Sequence, residues 1–362
     1  MVSRGWRNVA SAAAVVAGAM LVATGCGSSG GGGPKIALLL PETKTSRYET
    51  QDKPNFEKRV KALCSKCEIV YSNANQDAST QQSQAESALT QGAKVLVLDA
   101  VDAASASTIV AKAKAQNVPV VSYDRLITGA DVDYYVSFDN VGVGKLQATT
   151  LVNKLKSEGK ANGTITMVNG APTDNNAKLF KQGALSVFNS SGVKIGKQYD
   201  TPDWSPDKAQ TEMQQAITAL GNNGFVGAYA ANDGTAGGVI AAMKSAGIDP
   251  ASRPTTGQDA ELDAIQRILV GQQFMTVYKA VKPEAQKAAE IAVALAQKKA
   301  VPGGLVNQNV NNGKKSVPSV ILTPVAVTKA NVKDTVVKDG FWSASQICTS
   351  AFASACKAAG VS

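Results

Sequence analysis

The 362-residue sequence contains no histidine. That absence removes Ser-His-Asp and Cys-His catalysis together and takes away the commonest zinc ligand, so neither a metal nor a cofactor is expected. Aromatic residues make up only 5% of the chain and charged residues 18%. No stretch reads as a confident membrane span: Val9 to Val22 is apolar but short and rich in alanine. The net charge is +9. Lysine and arginine are dispersed through apparent helices instead of being gathered in one tract, which speaks against nucleic acid as a partner. The excess reads as solvated surface facing an anionic envelope. Hydrophobic residues reach 44%, a value of folded globular proteins.

What is present first fixes a compartment. Arg4 and Arg7 form a basic start, Val9 to Val22 an apolar stretch, and Ala23-Thr24-Gly25 supply small residues before Cys26. This is the pattern of a secretory signal over residues 1–25 that ends in a lipobox. A lipobox prefers leucine three positions before the cysteine, where this chain has Ala23. The plainer alternative is a cleaved signal with an incidental cysteine. Lipidation of Cys26 is expected, with two acyl chains giving a stable anchor on the outer face of the cell membrane. Residues 26–34 form a glycine-rich linker.

Five cysteines are present: Cys26, Cys64, Cys67, Cys348 and Cys356. In an oxidising compartment the last four read as two local disulfides, although spacing alone leaves pairing across the two clusters open. Cys64-Ser65-Lys66-Cys67 also has redox-dithiol spacing. A staple at the end of the first helix is preferred, because no thioredoxin-like Trp or Pro precedes Cys64.

The remaining length suits two lobes. Short apolar runs alternate with helical patterns. Strands are expected at Lys35 to Leu40, Glu68 to Tyr71, Lys94 to Leu98 and Val118 to Tyr123, and again at Thr164 to Val168, Val193 to Tyr199, Phe225 to Tyr229 and Pro254 to Gly257. The rhythm restarts after Asp139, which predicts an α/β fold of two doubly wound, Rossmann-like lobes. Polar residues at strand carboxyl ends mark the ligand side of such a fold. Here they are Asp124 and Arg125, Asp174 to Asn176, Asn232 and Asp233, Gln258 and Asp259, and Lys279. Carboxylates, amides and cations together match a neutral polyhydroxylated ligand, each hydroxyl of which both donates and accepts. A phosphate would favour glycine-rich nests with fewer acids. Any one of these Asp or Asn residues alone reads as a helix cap; five clusters at five strand ends point to a shared cleft. Trp204, in a proline-flanked loop, and Tyr48, after the first strand, are candidates to stack on a sugar ring.

Several stretches carry a resemblance: Val121-Ser122-Tyr123-Asp124-Arg125, Tyr135-Val136-Ser137-Phe138-Asp139-Asn140, Asp174 to Phe180, Asn232 to Gly238, Gly257-Gln258-Asp259-Ala260 and Met275 to Lys279. In this order, from about Lys35 to Trp342, the chain resembles the D-xylose-binding proteins of ATP-driven sugar importers, of the type I periplasmic-binding-protein family. The resemblance implies two lobes joined by a three-crossing hinge: residues 35–139 with 280–308, and 140–279 with 309–340, followed by a tail at 341–362. It implies polar ligands at Arg47, Asp124, Arg125, Asp174, Asn176, Asn232, Asp259 and Lys279, with Trp204 stacking. Tyr48 stands where the family more often has tryptophan. The Cys64 and Cys67 pair and the Cys348 to Ser362 tail lie outside the pattern of Gram-negative members.

The expected function is capture of D-xylose, or of glucose, ribose or another monosaccharide, by a monomer that closes its cleft and delivers the sugar to an ABC permease. A sugar-responsive regulator would carry a helix-turn-helix where this chain has a signal and a linker. An enzyme acting on sugars would need one neutral carboxyl, whereas Arg125 and Lys279 are expected to keep Asp124 and Asp174 ionised.

Overall fold

The computed structural model describes residues 32–361; the signal segment and Cys26 lie outside the described residues, as does part of the linker. The first strand, β1 (Lys35–Leu40), shows why the core forms where it does. Ile36, Leu38 and Leu40 enter one apolar cluster while Ala37 and Leu39 enter another on the opposite face. A strand apolar on both faces must be covered on both, which is the condition of a parallel sheet between helical layers.

The chain continues through a π-helical turn at Tyr48–Asp52 into α1 (Lys53–Leu63), then β2 (Glu68–Asn73), α2 (Ala78–Thr90), β3 (Ala93–Leu98), α3 (Ser107–Ala115), β4 (Val120–Tyr123) and β5 (Tyr134–Phe138). It next forms α4 (Asn140–Ser157), β6 (Thr164–Asn169), α5 (Asn175–Ser191), β7 (Lys194–Asp200), α6 (Pro206–Leu220), β8 (Gly227–Ala230), α7 (Asp233–Ser245), α8 (Leu262–Leu269) and β9 (Met275–Tyr278). Last come α9 (Val281–Ala296), β10 (Gln308–Asn311), β11 (Ser316–Leu322), β12 (Val325–Thr328), α10 (Ala344–Ile347) and α11 (Ala353–Ala358).

One sheet has the order β10-β11-β5-β4-β3-β1-β2, parallel except for β10 against β11. Residues of α1 and α9 pack on one face and those of α2 and α3 on the other. The second lobe is built on β7-β6-β8, parallel throughout, with single bridges leading on through Thr255 and Gln258 to β9, which pairs antiparallel with β12. Helices α4 and α5 cover one side of it and α6 and α7 the other. The backbones of α4 and α5 approach closely at Gly144 and Gly183, where an added Cβ would run into the carbonyls of Phe180 and Val141. The chain passes between the lobes at β5–α4, β9–α9 and β11–β12. These are the three crossings of a type I periplasmic-binding-protein hinge.

Two expectations are corrected. Residues 309–322, assigned to the second lobe, join the first sheet through β11, which lies beside β5 in parallel register. Pro254 to Gly257 does not form a strand of its own; Thr255 makes one isolated bridge to Ala228. The disulfides are local: Cys64–Cys67, with Cα atoms 5.3 Å apart at the end of α1, and Cys348–Cys356 in the tail. The tail packs Phe341, Trp342, Ile347 and Cys356 against Ile265, Ile268 and Leu269 of α8. No helix among the described residues is long and apolar enough to cross a membrane.

Candidate sugar-binding cleft

The loops that leave the strands at their carboxyl ends bring the polar side chains together. Several sit in backbone conformations that non-glycine residues seldom adopt: Asp124 after β4 has φ 51°, Trp204 53° and Asp259 92°. Such geometry persists only where surrounding contacts enforce it, and it clusters at binding sites. Others are helix caps. Asp174 accepts the Asn176 N–H at the start of α5, and Asn232 forms a capping box with Thr235 at the start of α7.

All ten residues expected from the sequence, Arg47, Tyr48, Asp124, Arg125, Asp174, Asn176, Trp204, Asn232, Asp259 and Lys279, line one cavity with about 250 Å³ of atom-free space. Thr45, Phe180 and Gln258 complete the lining. Thr45 gives no signal in the sequence, and Phe180 appears there only inside a longer motif.

The walls are joined by ion pairs. Arg47 pairs with Asp124, reaches Asp52 at 3.0 Å and has its Nε 3.4 Å from Asp259. The Arg125 Nε lies 3.1 Å from Asp174, and the Lys279 Nζ 3.1 Å from Asp259 and 3.8 Å from Asp124. The Tyr48 hydroxyl donates to Asp124 at 3.2 Å and accepts from Arg125 at 3.3 Å, while the Arg47 guanidinium lies over its ring. The Asn176 amide donates to the Asp124 carbonyl and is itself held by Asn140. The Trp204 Nε1–H donates to Asp174 at 3.1 Å, and its ring meets the Phe180 edge at 6.4 Å.

Behind the cavity stands a second layer that the strand-end reading did not single out. Asp52 and Glu284 face Arg47, and Asp99 and Glu42 face Arg125. Three buried cations thus face seven buried carboxylates. Burial alone would push the Asp124 carboxyl up, yet Arg47, Lys279 and Arg125 outweigh it and hold it at about 2. Burial pushes Asp52 up to about 6 against the pull of Arg47, and raises Asp99 and Glu284 well above the usual carboxylate range, with Asp124 adding to both shifts. The expectation that cations keep both lining acids ionised therefore fits Asp124, whereas Asp174 moves the other way because its burial outweighs Arg125.

A site of ionised and neutral acids, amides, cations and an indole, with no histidine and no cluster of potential metal ligands among the described residues, is suited to holding hydroxyl groups. Residues 36–300 match the family model described as a periplasmic binding protein domain. The chain belongs to that family.

Several of its relatives are named for the sugars they bind. The D-xylose-binding periplasmic protein of Escherichia coli K12 is 38% identical over 317 residues, covering 86% of this chain and 92% of the relative. The multiple sugar-binding periplasmic receptor ChvE of Rhizobium radiobacter is 34% identical, covering 93% and 98%. Among solved structures, a solute-binding protein of an ABC transporter from Clostridium phytofermentans with bound β-D-glucose superposes with a TM-score of 0.78 at 29% identity, covering 86% of this chain and 99% of that one. This chain is a type I periplasmic binding protein of the sugar ABC importers, a family of transport receptors.

Proposed function

We propose that the protein is a D-xylose receptor, tethered outside the cell membrane through lipidated Cys26, that captures the sugar between its two lobes and hands it to an ABC permease. The observation that carries this reading is the convergence of ten strand-end residues on one cavity in a chain 38% identical to a D-xylose-binding protein. Arg47, Asp124, Arg125, Asp174, Asn176, Asn232, Asp259 and Lys279 bind the sugar hydroxyls, and Trp204 covers a C–H face of the ring, with Tyr48 beside it.

Capture works by differential affinity for open and closed forms. Each hydrogen bond from a charged side chain is worth about 1.5–3 kcal/mol net, so four or five that reach the sugar from both lobes suffice to favour closure. Contacts beyond the cavity help. The Ala103 N–H donates to the Thr173 carbonyl at 3.1 Å, and the Ser46 N–H to the Glu261 carboxyl at 3.1 Å, both from one lobe to the other. Specificity comes from exclusion: a hexose needs room for its hydroxymethyl group, and a sugar lacking a hydroxyl leaves a buried charge unpaired.

A second reading, broader acceptance of glucose and related sugars, is favoured by the likeness to a multiple sugar-binding receptor and to a glucose-bound neighbour. Calorimetric titration of the chain from Lys35 onward with D-xylose, D-glucose and D-ribose separates the two. One-to-one binding of xylose alone supports the first reading, comparable affinities the second, and no heat with any sugar contradicts the assigned ligand class. Lipidation is tested by mass spectrometry of the mature amino terminus, where an unmodified Cys26 thiol would refute the anchor.

A further inference from the structure

Trp204 is the largest aromatic side chain that lines the cavity, and its position depends on a residue that does not line the cavity. Gly170 follows β6, immediately after Asn169. A Cβ built on Gly170 falls onto the distal atoms of the indole six-membered ring, Cη2, Cζ2 and Cζ3. The φ of Gly170 is not among the positive values, so a larger residue would be excluded there by space and not by backbone conformation. Trp204 itself is 4% exposed, and it is held from the other side by its Nε1–H bond to Asp174 and by the edge of Phe180. Its backbone and that of Asp203 both lie in the left-handed region, at φ 53° and 60°, which leaves the loop little freedom to move the ring elsewhere at no cost.

We propose that Gly170 is a specificity-determining residue: its bare backbone is the seat into which the indole sinks, and the depth of that seat sets how thick a sugar ring the cleft accepts. The proposal rests on the sugar-binding reading above. A methyl group at 170 overfills the seat, so the ring backs out. The indole then loses Asp174, which also pairs with Arg125 at 3.1 Å, so the displacement reaches the polar wall as well. Phenylalanine at 204 lacks the distal ring and leaves room for the methyl. Gly170→Ala and Trp204→Phe should therefore be coupled, as contacting positions are.

The test is a double-mutant cycle read in two ways. The first readout needs no sugar. In a Trp342→Phe background Trp204 is the sole tryptophan of the chain from Lys35 onward, and Gly170→Ala should shift its emission to the red and increase quenching by acrylamide. The second is calorimetry: Gly170→Ala should raise the Kd for D-xylose at least tenfold and that for D-glucose, if bound, by more. The same change made on Trp204→Phe should alter Kd less than twofold. An unchanged emission spectrum, or an equal loss of affinity in both backgrounds, overturns the proposal. If the parent protein binds no sugar, the proposed function fails while the emission experiment still decides the seat. If Gly170→Ala does not fold, Gly170→Ala with Trp204→Phe should; failure of both would locate the clash elsewhere and contradict the assignment.

Discussion

The two walls of the cleft are built on different principles. On the first lobe, Arg47, Asp124 and Arg125 are held by other charges, with Asp52, Asp99, Glu42 and Glu284 buried behind them. On the second, Asp174 and Asn232 are helix caps, and Trp204 is an indole fixed by one hydrogen bond and a strained turn. The first wall resists change through electrostatics, because each cation is shared among several buried acids. The second is assembled from local devices that can be altered one at a time. Mutations in the first wall should therefore act on folding and binding together, and those in the second chiefly on binding.

The largest effect should come from Arg47→Ala. It leaves Asp52 without its ion-pair partner and Asp124 with Lys279 at 3.8 Å, and breaking a buried pair by removing one partner costs about 3–5 kcal/mol. Urea unfolding should show that loss without any sugar present, together with abolished sugar binding; a variant as stable as the parent would erase the distinction between the walls.

Next is the pH dependence of the charged wall. Asp52 titrates at about 6 in the folded protein because of its burial, against roughly 3.9 in an unfolded chain. Between those values the native state holds the extra proton. The stability contributed by this group is therefore complete below about pH 3.9 and is lost as pH rises through about 6, on the order of 2–3 kcal/mol in all. Thermal unfolding of Asp52→Asn should give a flatter profile from pH 4 to 7 than the parent; parallel profiles would assign the titration to another group.

On the second wall, Trp204→Phe removes the bond to Asp174 and keeps a stacking face. A neutral hydrogen bond contributes about 0.5–1.5 kcal/mol, so unfolding should show a loss of about that size, well below that of Arg47→Ala, and calorimetry a severalfold weaker sugar complex. A large loss of stability would make this wall resemble the first. The smallest effect is expected at the rim, where Glu261→Ala removes the acceptor of the Ser46 N–H. Affinity should fall a few-fold, while Glu261→Gln, which keeps an acceptor, should bind as the parent does; equal losses in the two variants would assign Glu261 another role.

The same contrast explains what the sequence could reveal. The second wall was legible because caps and strand-end residues are local: Asp174, Asn232 and Asp259 each follow an apolar run, and the fold class then places those ends together. Asp99 obeys the same rule, directly after β3, and was readable in principle. Asp52 and Glu284 were not, since a carboxylate in a helical stretch ordinarily means a solvated face, and only the packing of α1 and α9 on the first sheet buries these two. The return of β10 and β11 to the first sheet was hidden for a related reason. Strand pairing over such separations is decided by which edge is open, here that of β5, and nothing in residues 309–322 names it.

The account stands most directly on where the sugar sits. A crystal structure of the chain from Lys35 onward grown with D-xylose should show the pentose between Trp204 and the Arg47–Asp124–Arg125 wall, its hydroxyls bonded to both lobes. Xylose bound outside this cavity, or in contact with one wall alone, would contradict it.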